Sequence, residues 1–372
     1  MQYLRILNAL RTITGQRSAH HFPDRYSDLE IFDSPGSESR VLFIYNTSFG
    51  RQVLDSREFG QYDFTQRALA LAGEERTTWI RRFCFESPVM LDGTAHQVRR
   101  RELSNVLKRC TDALHTAKVA DLASDLLVAA RRESATSLRV SQEIVTQLLS
   151  ICLGAITGRD ANLPTEELMA VDFFNPFPKP SSLYRCDHAI GACMRALQWQ
   201  SLNEAERTAV SVMIVMGVSP LVATATASLN ALLEVLAIPD STHDEAVAAS
   251  RKVDFHATVP TNFVMRRCLT TTVVNGHELR EGDLAYVFLG PVSGCPFSAL
   301  TTLPFGSGRH VCSGRQLSLI MLASVHDALE LAVSSLAELP LVNRRTPVEA
   351  GRASAFLRYA DETAPQTFPT LM

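Results

Sequence analysis

The 372-residue sequence has no C-x-x-C pair, no excess of positive charge and no long apolar run near its N-terminus. Each absence excludes a class of protein. Eight cysteines scattered over this length, without paired spacing, make neither a disulfide scaffold nor a zinc ribbon. A formal net charge of −3 and a pI near 6.4 give no basic field. Nucleic acid is therefore not expected as a partner, because phosphate backbones are held chiefly by basic surface. The opening MQYLRILNALRTITGQRS lacks the apolar stretch and small-residue cleavage site of a secretory leader, so a cytoplasmic protein is expected. Internal repeats and low-complexity tracts are also missing.

What the chain does have is apolar mass. At 46% hydrophobic, it can build a large core, as one long domain or two ordinary ones. The 26 residues from Thr208 to Leu233, TAVSVMIVMGVSPLVATATASLNALL, carry no charge and are long enough on length alone to cross a bilayer. Yet Ser211, Ser219, Thr224, Thr226, Ser228 and Asn230 interrupt them, Pro220 stands midway, and no aromatic or basic cluster marks an interface. A helix buried through a mostly helical protein is expected, with no membrane. VLFIYN reads as a short buried strand. HQVRRRELSNVLKRC, ALHTAKVADLASDLLVAARRES and LRVSQEIVTQLLSICLGAI have helical spacing, and FFNPFPKPSS (173–182) is a break that regular helix cannot accommodate. A further helix is expected near 182–199. After about residue 252 the pattern changes: FVMRRCLTTTVVNGHELREGDLAYVFLG alternates β-branched and polar residues around Asn275-Gly276 and Glu281-Gly282-Asp283, which predicts a small sheet with tight turns.

LPFGSGRHVCSGRQLSL, residues 303–319, packs three glycines, a histidine and a cysteine between Gly306 and Gly314, then enters a helix. It has neither G-x-x-x-x-G-K-[ST] nor G-x-G-x-x-G directly after a strand, which argues against a phosphate cradle. A zinc site would need two more ligands besides His310 and Cys312, with Cys295 the one candidate nearby. A plain turn would leave Cys312 a small buried hydrophobe. The remaining reading uses every residue: Gly306 and Gly308 let the backbone pass beneath a flat ligand, Gly314 relieves the turn, and Cys312 lies near a helix start that favours its thiolate. Such a thiolate is an axial ligand for haem iron.

The loop closely resembles the haem-binding signature of the cytochrome P450 family, complete from Phe305-Gly306-Ser307-Gly308 through Arg309-His310-Val311 to Cys312-Ser313-Gly314. The resemblance covers most residues from about 40 to 355. It implies a mainly α fold with a small β region: a triangular helical prism with a long central helix over the haem. One domain is expected over 1–372, with the haem-thiolate loop at 305–314, the central helix at about 203–235 and a shortened meander at 291–303. By the same resemblance Cys312 is the iron ligand, His310 reaches a haem propionate and Phe305 packs beside the thiolate. DGTAHQVRRRELSNVL (92–107) is similar to the family's C-helix, with His96 and Arg100 four apart as charge-assisted propionate partners. RRCLTTTVVNGHELREGD (266–283) resembles the strand pair that supplies another propionate arginine; Arg266 fits it best and Arg267 is the reserve.

Three departures limit what carries over. The central helix lacks the family's acid and threonine: aligned on Gly217 it reads Met216-Gly217-Val218-Ser219-Pro220, with no carboxylate between Glu206 and Glu234. Reductive oxygen activation needs protons from a positioned donor, and only Ser219, holding a water, and Thr224, about a turn further on, remain to serve. Pro220 removes the hydrogen bond to Met216 and is expected to open the helix there. The family's glutamate–arginine pair is replaced by Asp254 and Ala257. Only PVSGCPFSALTTL (291–303) separates AYVFLG from the cysteine loop. The resemblance implies a haem-thiolate oxidoreductase with haem b, monooxygenase-like, hydroxylating or oxidatively cyclising a small or carrier-bound molecule in specialised metabolism. HFPDRYSDLEIF and FFNPFPKPSSLY are expected at the pocket entrance. A ferredoxin-type electron donor or a carrier protein is the expected partner besides the small organic substrate. The missing acid keeps two alternatives open: a peroxide-driven or non-redox haem enzyme, and a non-catalytic haem-binding or scaffold protein.

Overall fold

The computed structural model describes residues 29–33, 39–62, 73–132, 135–159, 163–164, 167–168, 180–258, 263–290 and 302–338. The sheet collects pieces from both ends of this span. Strand β1 (Leu29–Asp33) pairs antiparallel with β2 (Arg40–Ile44), which leads through Asn46 into α1 (Thr47–Asp55); the Asn46 side chain accepts from the Phe49 N–H at 3.0 Å and so caps that helix. Strand β3 is Phe59–Gln61. After a single 3₁₀ turn at Glu74–Arg76 come α2 (Thr78–Glu86), α3 (Gly93–Thr116), α4 (Val119–Ala130), α5 (Ser137–Thr157) and α6 (Pro180–Ala196).

Helix α7 runs without a break from Glu204 to Leu236, close to the expected 203–235, but is not uniform: Met213–Gly217 form a π turn. The expected opening is therefore real and lies one turn before Pro220, whose missing N–H and ring both act on the Met216 carbonyl. Ser/Thr hydroxyls then bond back along the helix, Thr224 to the Pro220 carbonyl at 3.0 Å, Thr226 to Val222 at 2.7 Å and Ser228 to Thr224 at 3.1 Å. Helices α5, α7 and the last helix are long and apolar enough to span a membrane, but 72% of the most apolar window of α7 is buried inside the protein. Helix α8 (His243–Arg251), opened by a Thr242/Glu245 capping box, and the single turn α9 (Phe255–Thr258) lead to β4 (Phe263–Cys268).

Next come β5 (Thr272–Val274), β6 (His277–Leu279), β7 (Leu284–Phe288) and α10 (Arg315–Ala337). The five-stranded sheet has the order β1-β2-β7-β4-β3, parallel only between β2 and β7, and β5-β6 form a separate hairpin. Its turn is the expected Asn275-Gly276, with φ of 51° and 78°, the left-handed pair that a two-residue hairpin requires. The second expected turn carries Asp283, wholly buried, whose carboxylate takes hydrogen bonds from the Arg40 guanidinium (2.6 Å), the Arg40 N–H (3.0 Å) and the Arg280 N–H (2.7 Å).

Among the described residues two apolar cores result. The larger joins α2 to α8 and α10; the smaller lies between the sheet and α1. The short segment before the cysteine loop touches both. Leu303 is buried in the sheet core, its N–H on the Leu289 carbonyl at 2.6 Å, and Phe305 packs against the helical core, its ring 5.1 Å from that of Phe255.

Candidate active site

The cysteine loop is closed by its own backbone. The Cys312 N–H donates to the Phe305 carbonyl at 2.9 Å and the Gly306 N–H to Leu303 at 2.8 Å. Gly306 and Gly308 hold φ of 71° and 69°, which only glycine adopts without strain. Gly308 is also a close approach: a Cβ there would stand 2.9 Å from the Cα of Asp55 at the end of α1 and nearer still to the Leu54 carbonyl. Ser307 fastens the same end, donating to the Asp55 carboxylate at 2.6 Å. A Cβ on Gly306 would meet nothing within 4 Å, and one on Gly314 would stand 3.8 Å from the Cys312 sulfur. Phe305 packs between Phe255 and the Arg315 guanidinium, 5.7 Å from its ring centre.

Among the described cysteines only Cys312 is exposed; the other six are buried. Burial nevertheless pushes its thiol up, outweighing the Gly314 and Arg315 N–H groups and the charge of Arg100, which pull the other way. The expectation that the helix start alone favours a thiolate is corrected here: desolvation wins, and a thiolate at this place calls for a cation to bind.

Around the loop stands a cluster of bases. Arg266 on β4 points inward, 5% exposed, while its neighbour Arg267 points out, as strand alternation requires. The Arg266 guanidinium donates to the Gln61 side-chain oxygen at 2.9 Å and the Met265 carbonyl at 2.8 Å, and burial draws its pKa down to about 10. It makes no ion pair among the described residues. His96 and Arg100 lie on α3 as expected, and the His96 ring sits 4.1 Å from that of His310. Expected to be cationic, His96 is neutral: burial, then the charges of His310 and Arg100, lower its pKa to about 4. His310, expected to face a propionate, has its Nε2 on the Asp92 carboxylate at 3.0 Å. Asp92 also accepts from the Gln61 N–H at 2.6 Å, and Arg309 donates to the Phe59 carbonyl. Asp92, Gln61 and Arg309 escaped the sequence reading. Only Asp92, just before the glycine that opens α3, left a local trace, that of a helix cap.

In α7, Gly217 closes the π turn, and a Cβ there would meet nothing within 4 Å. Ser219, half-buried, follows it. Thr224 is 0% exposed and its hydroxyl is engaged by the Pro220 carbonyl and by Thr258, 3.0 Å away, so this member of the expected relay has structural partners. Asp254 stands at the start of α9, the Thr258 N–H on its carbonyl at 3.0 Å. The shortened meander, apart from Thr302 and Leu303, lies outside the described residues, as do 21–28 and 173–179 of the expected entrance segments and Cys295 of the zinc alternative. Among the described residues no three His, Cys, Asp or Glu side chains converge to hold a metal ion unaided.

These residues fit an iron porphyrin. Arg100 and Arg309 act on His96, and Arg309 and the Asp92 carboxylate act on the buried Arg266, so guanidinium groups that propionates could meet gather beside the loop. The thiol is accessible, and the Gly306 and Gly217 backbones each border open space. No protein-family model and no curated protein matches the chain. Solved structures do. A retinoic acid-bound cyanobacterial CYP120A1 is 12% identical over 86% of this chain and 88% of that one, with a TM-score of 0.58. The thaxtomin hydroxylase TxtC is 15% identical over 88% and 92%, at 0.57, and P450BioI, in complex with a hexadec-9Z-enoic acid-ligated acyl carrier protein, is 15% identical over 89% and 92%, at 0.55. The chain has the cytochrome P450 fold.

Proposed function

We propose that this chain is a haem-thiolate enzyme in which Cys312 ligates the iron of haem b and Arg100, Arg266 and Arg309 hold its propionates. The observation that carries the reading is the pairing of an exposed thiol with a buried guanidinium that makes no ion pair among the described residues. When bound, haem supplies an iron centre able to activate oxygen or to polarise a substrate. The chain's own residues do the rest. Phe305 and the glycines hold the cysteine backbone in its closed loop, buried Arg266 with the half-buried Arg100 and Arg309 fix the propionate edge, and the π turn at Met213–Gly217 leaves room for a ligand. Ser219, half-buried, follows that turn. With no carboxyl group on α7 between Glu206 and Glu234, the protons for reductive oxygen chemistry come from a hydroxyl or amine on the substrate. The reading is a monooxygenase-like enzyme of specialised metabolism, cytoplasmic, that hydroxylates or oxidatively cyclises a small or carrier-bound molecule, with a ferredoxin-type donor. The carrier option is supported by the acyl carrier protein bound to P450BioI.

The missing carboxyl also favours a second reading, in which peroxide replaces dioxygen and reductant, or the iron acts without redox change. Purified protein should bind haem and, reduced under carbon monoxide, absorb at the long-wavelength position of thiolate ligation. Cys312→Ala should lose this band while keeping its helical content. Retention of the band, or stoichiometric zinc without haem, would overturn the assignment. Product formed with reductant and oxygen, with peroxide alone, or anaerobically then separates the two readings.

A further inference from the structure

The haem reading leaves one buried group unused. His326, halfway along α10 and 8% exposed, sets its Nε2 3.2 Å from the Ser228 hydroxyl of α7. The ring also hydrogen-bonds the backbone of Val253 and lies in the field of Asp254, at the joint between α8 and α9. A neutral imidazole offers one donor and one acceptor, enough to meet the Ser228 hydroxyl with one nitrogen and the Val253 backbone with the other. One side chain thus reaches three elements: the helix launched by the cysteine loop, the helix that carries the π turn, and the link into the sheet. One turn nearer the π turn, Thr224 and Thr258 repeat the tie between α7 and α9 at 3.0 Å.

This joint includes Asp254 and Ala257. We propose that His326 is a positioning residue, which, with the Thr224–Thr258 pair, fixes α7 and the α8–α9 joint against the helix launched by the Cys312 loop. The geometry explains why α7 tolerates a π turn and a proline: the segment after them is held from outside by two hydroxyl contacts, Thr224 to α9 and Ser228 to α10. It also assigns a function to burying hydroxyls at 224 and 228, where apolar side chains would pack as well. The groups facing the ring from the surrounding elements are Arg251 of α8, Asp254 at the start of α9, Asp327 of α10 itself and Ser228 of α7.

The inference rests on the haem reading only for its consequence at the thiolate, so its test has two arms. In the haem-free chain, His326→Leu should speed amide hydrogen exchange across 218–228 and 253–258 by at least about tenfold more than in the β1–β2 pair, while His326→Gln, which keeps a donor and an acceptor, restores most of the protection. Ser228→Ala removes one hydroxyl without enlarging the core and should reproduce the α7 part alone. In the haem-loaded chain, His326→Leu should move more than half of the carbon monoxide complex from the long-wavelength thiolate band to the shorter-wavelength one, and His326→Gln should not. Exchange that rises equally everywhere, or not at all, in the leucine and alanine variants would overturn the proposal. A wild type with no thiolate band, but with the local exchange pattern intact, would sink the haem assignment and leave the joint standing.

Discussion

A guanidinium that is 5% exposed, and whose hydrogen bonds run to the neutral oxygens of Gln61 and Met265, has given up its hydration without gaining an ion pair among the described residues, the attraction of Asp92 falling short of the cost of burial. Arg266 therefore loads the empty chain with a desolvation cost and becomes favourable only when an anion arrives. This separates a ligand-holding arginine from a structural one by sign. Arg266→Met should leave the haem-free melting temperature unchanged or raise it. It should weaken haem retention by roughly tenfold to a hundredfold, the equivalent of a charged hydrogen bond worth about 1.5–3 kcal/mol. Thermal melts of the empty protein and haem transfer to an acceptor protein measure the two effects. A fall in both would make Arg266 an ordinary core residue.

At the scale of elements, the turn between β6 and β7 works in the opposite sense. Burial alone would raise the Asp283 carboxyl, but hydrogen bonds from the Arg40 side chain and from the Arg280 and Arg40 N–H groups outweigh it and hold it below its ordinary value. A folded value below the unfolded one gives stability that is present in full above about pH 4 and is lost as pH falls through the folded value. Asp283→Asn leaves the Arg40 charge partly buried and should cost about 3–5 kcal/mol at neutral pH. Denaturant melts from pH 7 to pH 3 should show the gap between variant and wild type closing at the acid end. The sequence announces this turn through Glu281-Gly282-Asp283 but not its partner, since Arg40 lies 243 positions away. The same divide runs through the whole site. The loop from Phe305 to Gly314 is legible because its glycines, Phe305, His310 and Cys312 stand within one contiguous stretch, and Arg266 is singled out by its spacing in a strand pair that resembles the family's. Asp92 on His310, Gln61 on Arg266 and Thr258 on Thr224 are not, because no periodicity encodes a contact between distant segments. The π turn was foreseen only as an opening at Pro220: the proline's missing N–H is readable, whereas the direction in which the helix relaxes depends on its neighbours.

For the whole molecule the consequential feature is the two-residue step from Leu303 to Phe305. The first belongs to the core beneath the sheet, the second to the core among the helices, and Cys312, the proposed iron ligand, follows seven residues after the second. On the haem-thiolate proposal the prosthetic group would rivet the seam between two packed bodies. Loading it would then stabilise their docking by mass action, by about 2.7 kcal/mol when free haem stands at a hundred times its dissociation constant. Scanning calorimetry should resolve two heat-absorption peaks in the empty chain and one, at higher temperature, in the loaded chain. A single peak in both would mean that the bodies are already welded. If the seam does open, cofactor supply would decide how much of this protein survives in a cell, since an unriveted chain offers two loosened faces to proteolysis.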